Sequence, residues 1–230
     1  MSDGAMLIDT AERLFADLLD DEAMRRARAG EWLADVWAAV EEMGLPLALV
    51  PEDSGGFGIA GADALALIRL AGRHALPLPL PETMIANLAF AQAGLPLAEG
   101  PAAFLPAEGG RVPWGRHVTT LAAERPNGAI ARVTGMSVEA EGVNLAGMPR
   151  DTLGWDDEAA QQGARSGVPL QILGGAMRSL QIAGALERVL ALTIGHVSER
   201  KQFGRELVRF QAIQHELARL AEETAAAGAA

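Results

Sequence analysis

The chain has 230 residues, enough for one large domain or two modest ones with a sizeable core. Its formal charge of −11 argues against a nucleic-acid groove, which needs concentrated Lys and Arg, and the lack of cysteine excludes disulfides, thiolate metal sites and a cysteine nucleophile. Half of the residues are hydrophobic but only 4% are aromatic, and this Ala- and Leu-rich composition favours closely packed helices over a β-sandwich.

The N-terminus, MSDGAMLIDTAERLF, is acidic and lacks the basic-then-apolar pattern of a leader. No uninterrupted apolar stretch is long enough to span a bilayer, so the expectation is a cytoplasmic protein that engages no membrane. Asp9 and Glu12 have capping-box spacing, and Leu14, Phe15, Leu18 and Leu19 follow at helical intervals. A second helix carries Leu33, Val36, Trp37, Val40 and Met43 on one face, with Gly44 suited to a left-handed C-terminal position. Leu47 to Val50 reads as a short strand. ADALALIRLAGRHA is a third helix and ETMIANLAFAQAG a fourth, with Pro81 at its first turn.

Beyond Leu95 the chain is broken repeatedly by Pro and Gly. HVTTLAAE and AIARVTG read as strands joined across RPNG, where Asn127-Gly128 suits a tight turn, and MSVEAEGVNL reads as another. Helix then returns. Met177, Leu180, Leu186, Val189, Leu190, Ile194 and Val197 share a broad apolar face; after RKQFG, Phe210, Ile213, Leu217 and Leu220 form a second stripe. The expectation is a mainly α chain with a small β insert. An N-terminal helical domain spans 1–97, a small middle β-rich domain 98–167, and the start of a C-terminal helical bundle 168–230.

Two segments bear on chemistry. GGFGIAG places Gly56, Gly58 and Gly61 at G-x-G-x-x-G spacing, but a dinucleotide fingerprint follows a strand immediately, and here PEDSG intervenes and brings Glu52 and Asp53 toward any diphosphate. A Gly-rich turn between helices is the better reading. In SERKQFGRELVRFQAIQHELARL, Arg200, Lys201, Arg205 and Arg209 crowd together in an acidic chain beside Phe203 and Gly204, which suits a ligand with both a ring and a phosphate. His74, His117, His196 and His215 are scattered singly, without metal-ligand spacing. Phe210 and Ile213 read as core, Glu187 as a solvated or interfacial charge, and Asp156-Asp157-Glu158 as a solvated run.

ERKQFGRELVRFQAIQHELA resembles the R-x-Q-F-G-x-x-[IL]-x-x-F-Q-x-x-Q segment of the acyl-CoA dehydrogenase family, and VPEDSGGFG resembles that family's V-P-E-x-x-G-G-x-G loop. The likeness is strong over residues 30 to 75 and 174 to 222. It implies a flavoprotein that oxidises an acyl-CoA thioester to the α,β-enoyl form, with FAD at a subunit interface of a homo- or hetero-oligomer and electrons passed to a carrier such as an electron-transfer flavoprotein. The resemblance also implies that Arg200 pairs with the pyrophosphate, that Phe203 lies against the adenine end, and that Gln202 and Gln211 hydrogen-bond there.

The chain departs from the family as well. The T-E-P-x-[AS]-G-S loop and W-I-[TS]-N strand are missing, with PAEGG and RVPWGRH in that region, and the position that carries the base on the long helix of some members is Gly174. No catalytic residue and no metal ligand is assigned. AEETAAAGAA stops in what reads as a continuing helix, so the expectation is a C-terminally shortened member with a small β domain. A non-catalytic partner subunit, and a helical assembly protein without cofactor, are the alternatives.

Overall fold

In the computed structural model, which describes residues 3–229, five helices precede a group of seven short strands, and two long helices follow. The first helix, α1 (Asp3–Leu18), begins at Asp3. Asp9 and Glu12 therefore lie inside it and form no capping box. The cap stands later, where Asp20 accepts the Ala23 amide at 2.8 Å and opens α2 (Asp21–Arg28). That short helix, polar on most of its surface, has no long apolar stripe to betray it.

α3 (Ala34–Glu42) is followed by Gly44 at φ 72°, the left-handed residue the sequence calls for. The Leu45–Leu47 stretch is a 3-10 turn rather than the start of a strand, since Pro46 fixes a helical φ there. α4 (Gly61–Arg73) and α5 (Leu80–Ala93) come next, with Pro81 in the first turn of α5 and Gly94 at φ 68° after it. α5 is buried on nearly all sides and so shows no amphipathic stripe. Two of its buried polar residues, Thr83 and Asn87, are satisfied by the backbone around them. Thr83 Oγ1 accepts the Ala102 amide at 3.0 Å, and Asn87 accepts the Ala98 amide at 2.8 Å.

The strands form two sheets. β1 (Ala102–Leu105), β3 (Thr120–Glu124), β4 (Ala129–Val133) and β7 (Gln161–Arg165) make one in the order β1-β3-β4-β7, with β1 and β3 parallel. β2 (Val112–Pro113), β6 (Arg150–Gly154) and β5 (Ser137–Ala140) make the other. The turn between β3 and β4 uses Gly128 at φ 82°, while the Asn127 carboxamide accepts the Ala129 amide at 3.0 Å.

The second sheet hangs on Asp151, whose buried carboxylate accepts the Arg116 amide at 2.8 Å, Arg116 Nη2 at 2.6 Å and the Gly142 amide at 3.1 Å. Burial opposes its charge, but these donors hold the carboxyl below the ordinary aspartate range. Next to it, His117 stacks on Trp32 at 4.9 Å and so ties the β region to the N-terminal helices. Burial, with Arg116 beside it, lowers the pKa of His117.

α6 (Leu170–Glu199) is 30 residues long and crosses α4 where two glycines meet it. A Cβ on Gly184 would overlap the Arg69 carbonyl, and one on Gly72 would overlap the Gln181 backbone. Beside this crossing Arg69 and Glu187 form an ion pair. Glu187 is thus an interfacial charge, the second of the two readings its sequence position allows. α6 has the length and mean hydropathy of a membrane span, but Arg178, Glu187 and Arg188 interrupt it and its middle is packed along α4. Only Met177 and Val197 of its expected apolar face are buried, and Val189 and Ile194 are exposed. Beyond a small hairpin, α7 (Gln211–Ala229) packs back on α6.

Two stability tests follow from these contacts. Gly184→Ala is expected to cost about 1–3 kcal/mol, because the helices must separate, and to lower the melting temperature by several degrees. Gly61→Ala is open to solvent at the start of α4 and is expected to be neutral or slightly stabilising. The second test is acid unfolding. Asp151 and His117 both have depressed folded pKa values, so each stabilises above its ordinary value and loses that contribution as pH falls through the folded one. Asp151→Asn is expected to lower the melting point at neutral pH and to flatten its decline in acid, as differential scanning calorimetry across pH would show.

Candidate functional site

Two features stand out, a pair of adjoining cavities and a projecting hairpin at the far end of α6. The cavities lie where α5, α6 and the two sheets converge. One, of about 340 Å³, is lined in part by Leu78, Glu82, Trp114, Met148 and Gln181. The other, of about 320 Å³, is lined in part by Phe104, Pro106, Gly109, Gly110 and Gly174. Pro113, Arg150 and Arg178 stand in both walls.

Glu82 is 2% exposed and takes Arg178 Nη2 at 2.8 Å through Oε1, while Oε2 has no hydrogen-bond partner. Burial pushes its carboxyl up, against the pull of Arg178. A buried polar oxygen without a partner costs about 1–3 kcal/mol, so the pair is more than a convenient helix contact. Glu82 is the one charge in the α5 sequence LPETMIANLAFAQA, and that isolation was the available signal. Arg178 lies 96 residues away and gave none.

Gly174 lies over the Phe104 ring in the second cavity and offers no carboxylate there. Neither wall carries a serine or threonine hydroxyl among the described residues. The PAEGG segment does border the second cavity, through Pro106, Gly109 and Gly110, and Gly109 and Gly110 take positive φ.

The hairpin joins β8 (Lys201–Gln202) to β9 (Arg205–Glu206), and Phe203 and Gly204 form its two-residue turn, with φ of 52° and 79°. Two left-handed residues make a turn that favours Asn-Gly, so a bulky aromatic in the first place is strained. Phe203 is nonetheless 91% exposed, with no burial to offset that strain. Its closest ring partner is Phe210, at 6.3 Å. Such an outlier points to a role outside the chain's own folding.

The structure brings Arg200, Gln202 and Phe203 together on this hairpin. Arg200 ends α6; its amide donates to the His196 carbonyl at 2.9 Å and its carbonyl accepts the Leu207 amide at 2.9 Å. Its exposed guanidinium has no ion pair among the described residues. Lys201 and Arg209 are both engaged by Glu206, at 3.8 and 2.7 Å, and Arg205 covers the Phe210 ring at 4.1 Å. Gln202 is exposed on β8, and Gln211 opens α7 after Phe210. Phe210 and Ile213 are half-buried rather than core, since Phe210 serves as the floor for Arg205.

The glycine loop is a turn leading into α4, with Phe57, Gly58 and Ile59 in the wall of a third cavity of about 380 Å³. Gly55 and Gly58 take positive φ, and a Cβ on Gly56 would overlap the Val50 carbonyl.

Comparison with known proteins places this architecture. The chain is 30% identical to the acyl-CoA dehydrogenase IpdE2 of Mycobacterium tuberculosis over 241 aligned positions, which cover 97% of this chain and 73% of the relative. The chain belongs to the acyl-CoA dehydrogenase family. The family model "Acyl-CoA dehydrogenase, C-terminal domain" matches residues 173–230, which include all but the first three residues of α6, the hairpin and α7. Among solved structures, the Tcur3481–Tcur3483 steroid ACAD matches with a TM-score of 0.78 and 25% identity, covering 96% of this chain and 73% of the other. The ChsE4–ChsE5 complex of Mycobacterium tuberculosis matches in fold, with a TM-score of 0.75 and 19% identity over 99% of this chain and 78% of the other. The dehydrogenase fold explains the order of the elements, helices before and after a small pair of sheets.

The strain at the hairpin tip is open to measurement. Phe203→Asn is expected to stabilise the chain by on the order of 1 kcal/mol, raising the melting temperature by about 2–4 °C for a chain of this size.

Proposed function

We propose that this chain is a subunit of an oligomeric FAD-dependent dehydrogenase that introduces an α,β double bond into an acyl-CoA thioester. The observation that carries the proposal is the exposed, strained Phe203 beside the unpaired Arg200. That pair has a free aromatic face and a free guanidinium fork, the two partners an adenine ring and a diphosphate need. The pair stands at the C-terminal end of α6, apart from the two cavities at the other end of that helix, which suits contact with a neighbouring subunit. The exposed apolar residues Ile182, Val189, Leu192 and Ile194 on α6 offer a surface for that neighbour.

The chemistry a bound FAD would supply is a hydride acceptor for the β-hydrogen. The residues of this chain supply binding. Arg200 would neutralise the pyrophosphate, Phe203 would cover the adenine end, and Gln202 and Gln211 would hydrogen-bond around it. The acyl thioester lies in the cavities between α5, α6 and the sheets, where Phe104, Met177 and Met148 exclude water. Gly174 offers no carboxylate there to take the α-proton. A carrier protein such as an electron-transfer flavoprotein would then take the electrons.

A second reading is supported by the hydroxyl-free cavity walls. In it, the chain lends Arg200 and Phe203 to a different dehydrogenase chain, which holds the flavin and the base. The names of the related steroid ACAD and of the ChsE4–ChsE5 complex favour a hetero-oligomer.

The test is flavin retention. Arg200→Ala is expected to release FAD on gel filtration while Arg209→Ala, whose guanidinium is already held by Glu206, keeps it. Absorbance near the flavin bands gives the readout. Equal retention in both variants would sink the assignment of Arg200. Purified protein that stays colourless with added FAD alone, but turns yellow with a co-purifying second chain, would favour the partner-subunit reading.

A further inference from the structure

Arg178 is unusual among the charged residues of α6. Its side chain is 48% exposed, stands in the walls of both cavities, and is nevertheless fixed at two points. Glu82 Oε1 holds Nη2 at 2.8 Å from the α5 side, and Gln181 Oε1 holds Nη1 at 2.7 Å from the next turn of α6. A long flexible side chain on a solvated face has no need of such fixing. Arg150 faces the same two cavities, forms no close ion pair among the described residues, and acts on the Glu82 carboxylate only through space; its Nη2 donates to the Arg111 carbonyl at 3.3 Å. The shared boundary of the two cavities therefore carries two guanidinium groups; Arg111 adds a third in the second cavity, and Glu82 supplies the one carboxyl, in the first. An acyl group made only of carbon and hydrogen would strip water from these groups and return nothing.

We propose that Arg178, positioned by Glu82, selects an acyl group that carries a hydrogen-bond-accepting oxygen, a ketone or a carboxylate, over a purely alkyl one. The proposal rests on the acyl-CoA reading above and names the substrate class for the same cavities. Glu82 is a positioning residue here. Its Oε1 sets the guanidinium plane, and its unpartnered Oε2 keeps a second polar atom at the base of the pair. Arg178 makes the contact, because an always-charged, planar donor reads an oxygen acceptor strongly and rejects a methylene in its place.

The test compares three CoA thioesters of one carbon skeleton, those of cyclohexanecarboxylate, 4-oxocyclohexanecarboxylate and cyclohexane-1,4-dicarboxylate. Their dissociation constants are measured by calorimetry on the purified protein, with FAD added and any co-purifying subunit retained. At least one oxygenated thioester is expected to bind about tenfold or more tighter than the plain one, the scale of one hydrogen bond to a charged group. Which of the two gains shows whether a ketone or a carboxylate is meant. In Arg178→Met the three constants should converge. Glu82→Gln, which still accepts from Arg178, should keep the preference, and Glu82→Ala should lose it. Equal or tighter binding of the plain thioester by the unaltered protein overturns the proposal without recourse to any variant. Failure of all three thioesters to bind overturns the acyl-CoA reading itself, and the role of the pair with it.

Discussion

The crossing of α4 and α6 is the contact on which the other parts depend. Two helices can approach this closely only where side chains are missing, and Gly72 and Gly184 remove them at facing points. The close approach brings Arg69 to Glu187 and draws the first turns of α6 under α5 and β1, where Gly174 meets Phe104. The first turns of α6, so placed, line the second cavity with Gly174, Met177 and Arg178. The hairpin's position is also set here, since a helix of 30 residues anchored at its middle carries its C-terminal end outward as a rigid arm.

The β region is held by polar contacts more than by bulk. Asp151 gathers the Arg116 and Gly142 amides and the Arg116 guanidinium around one buried carboxylate. The strands are only two to five residues long and rich in alanine, so side-chain packing alone holds them weakly. The stack of His117 on Trp32 then couples this region to the N-terminal helices. Both contacts border the segment that closes the 340 Å³ cavity, which includes Trp114 and Met148.

The sequence is most informative where local chemistry suffices. α3, α4 and α5 carry stripes, glycine stops or a proline start, and all three are found where those signals lie. The β3–β4 turn is readable from Arg125-Pro126-Asn127-Gly128. Strands β1, β2, β6 and β7 are not readable, because their pairing depends on partners as far apart as Val112 and Asp151. Asp9 and Glu12 mislead because helix-interior pairs share the spacing of a capping box. The broad apolar face expected on α6 is present in sequence but largely open in the chain, since periodicity reports which side wants cover and not what supplies it. Of the site, RKQFG was visible as a cluster of charge and ring. Its strain at Phe203 and the freedom of Arg200 beside engaged neighbours needed coordinates. Glu82 and Arg178 belong to different helices and meet only on folding.

The length of α6 has a genetic consequence. Gly174 and Arg200 are 26 positions apart on one rod, about 39 Å at 1.5 Å per residue. On the proposed reading the cavity end serves the subunit's own thioester, while the hairpin end serves a neighbour's cofactor. A lesion at Arg178 and a lesion at Arg200 would then fall in different composite centres of the same oligomer. Two inactive alleles, one damaged at each end, would complement when co-expressed, because in mixed assemblies some centres would inherit neither defect.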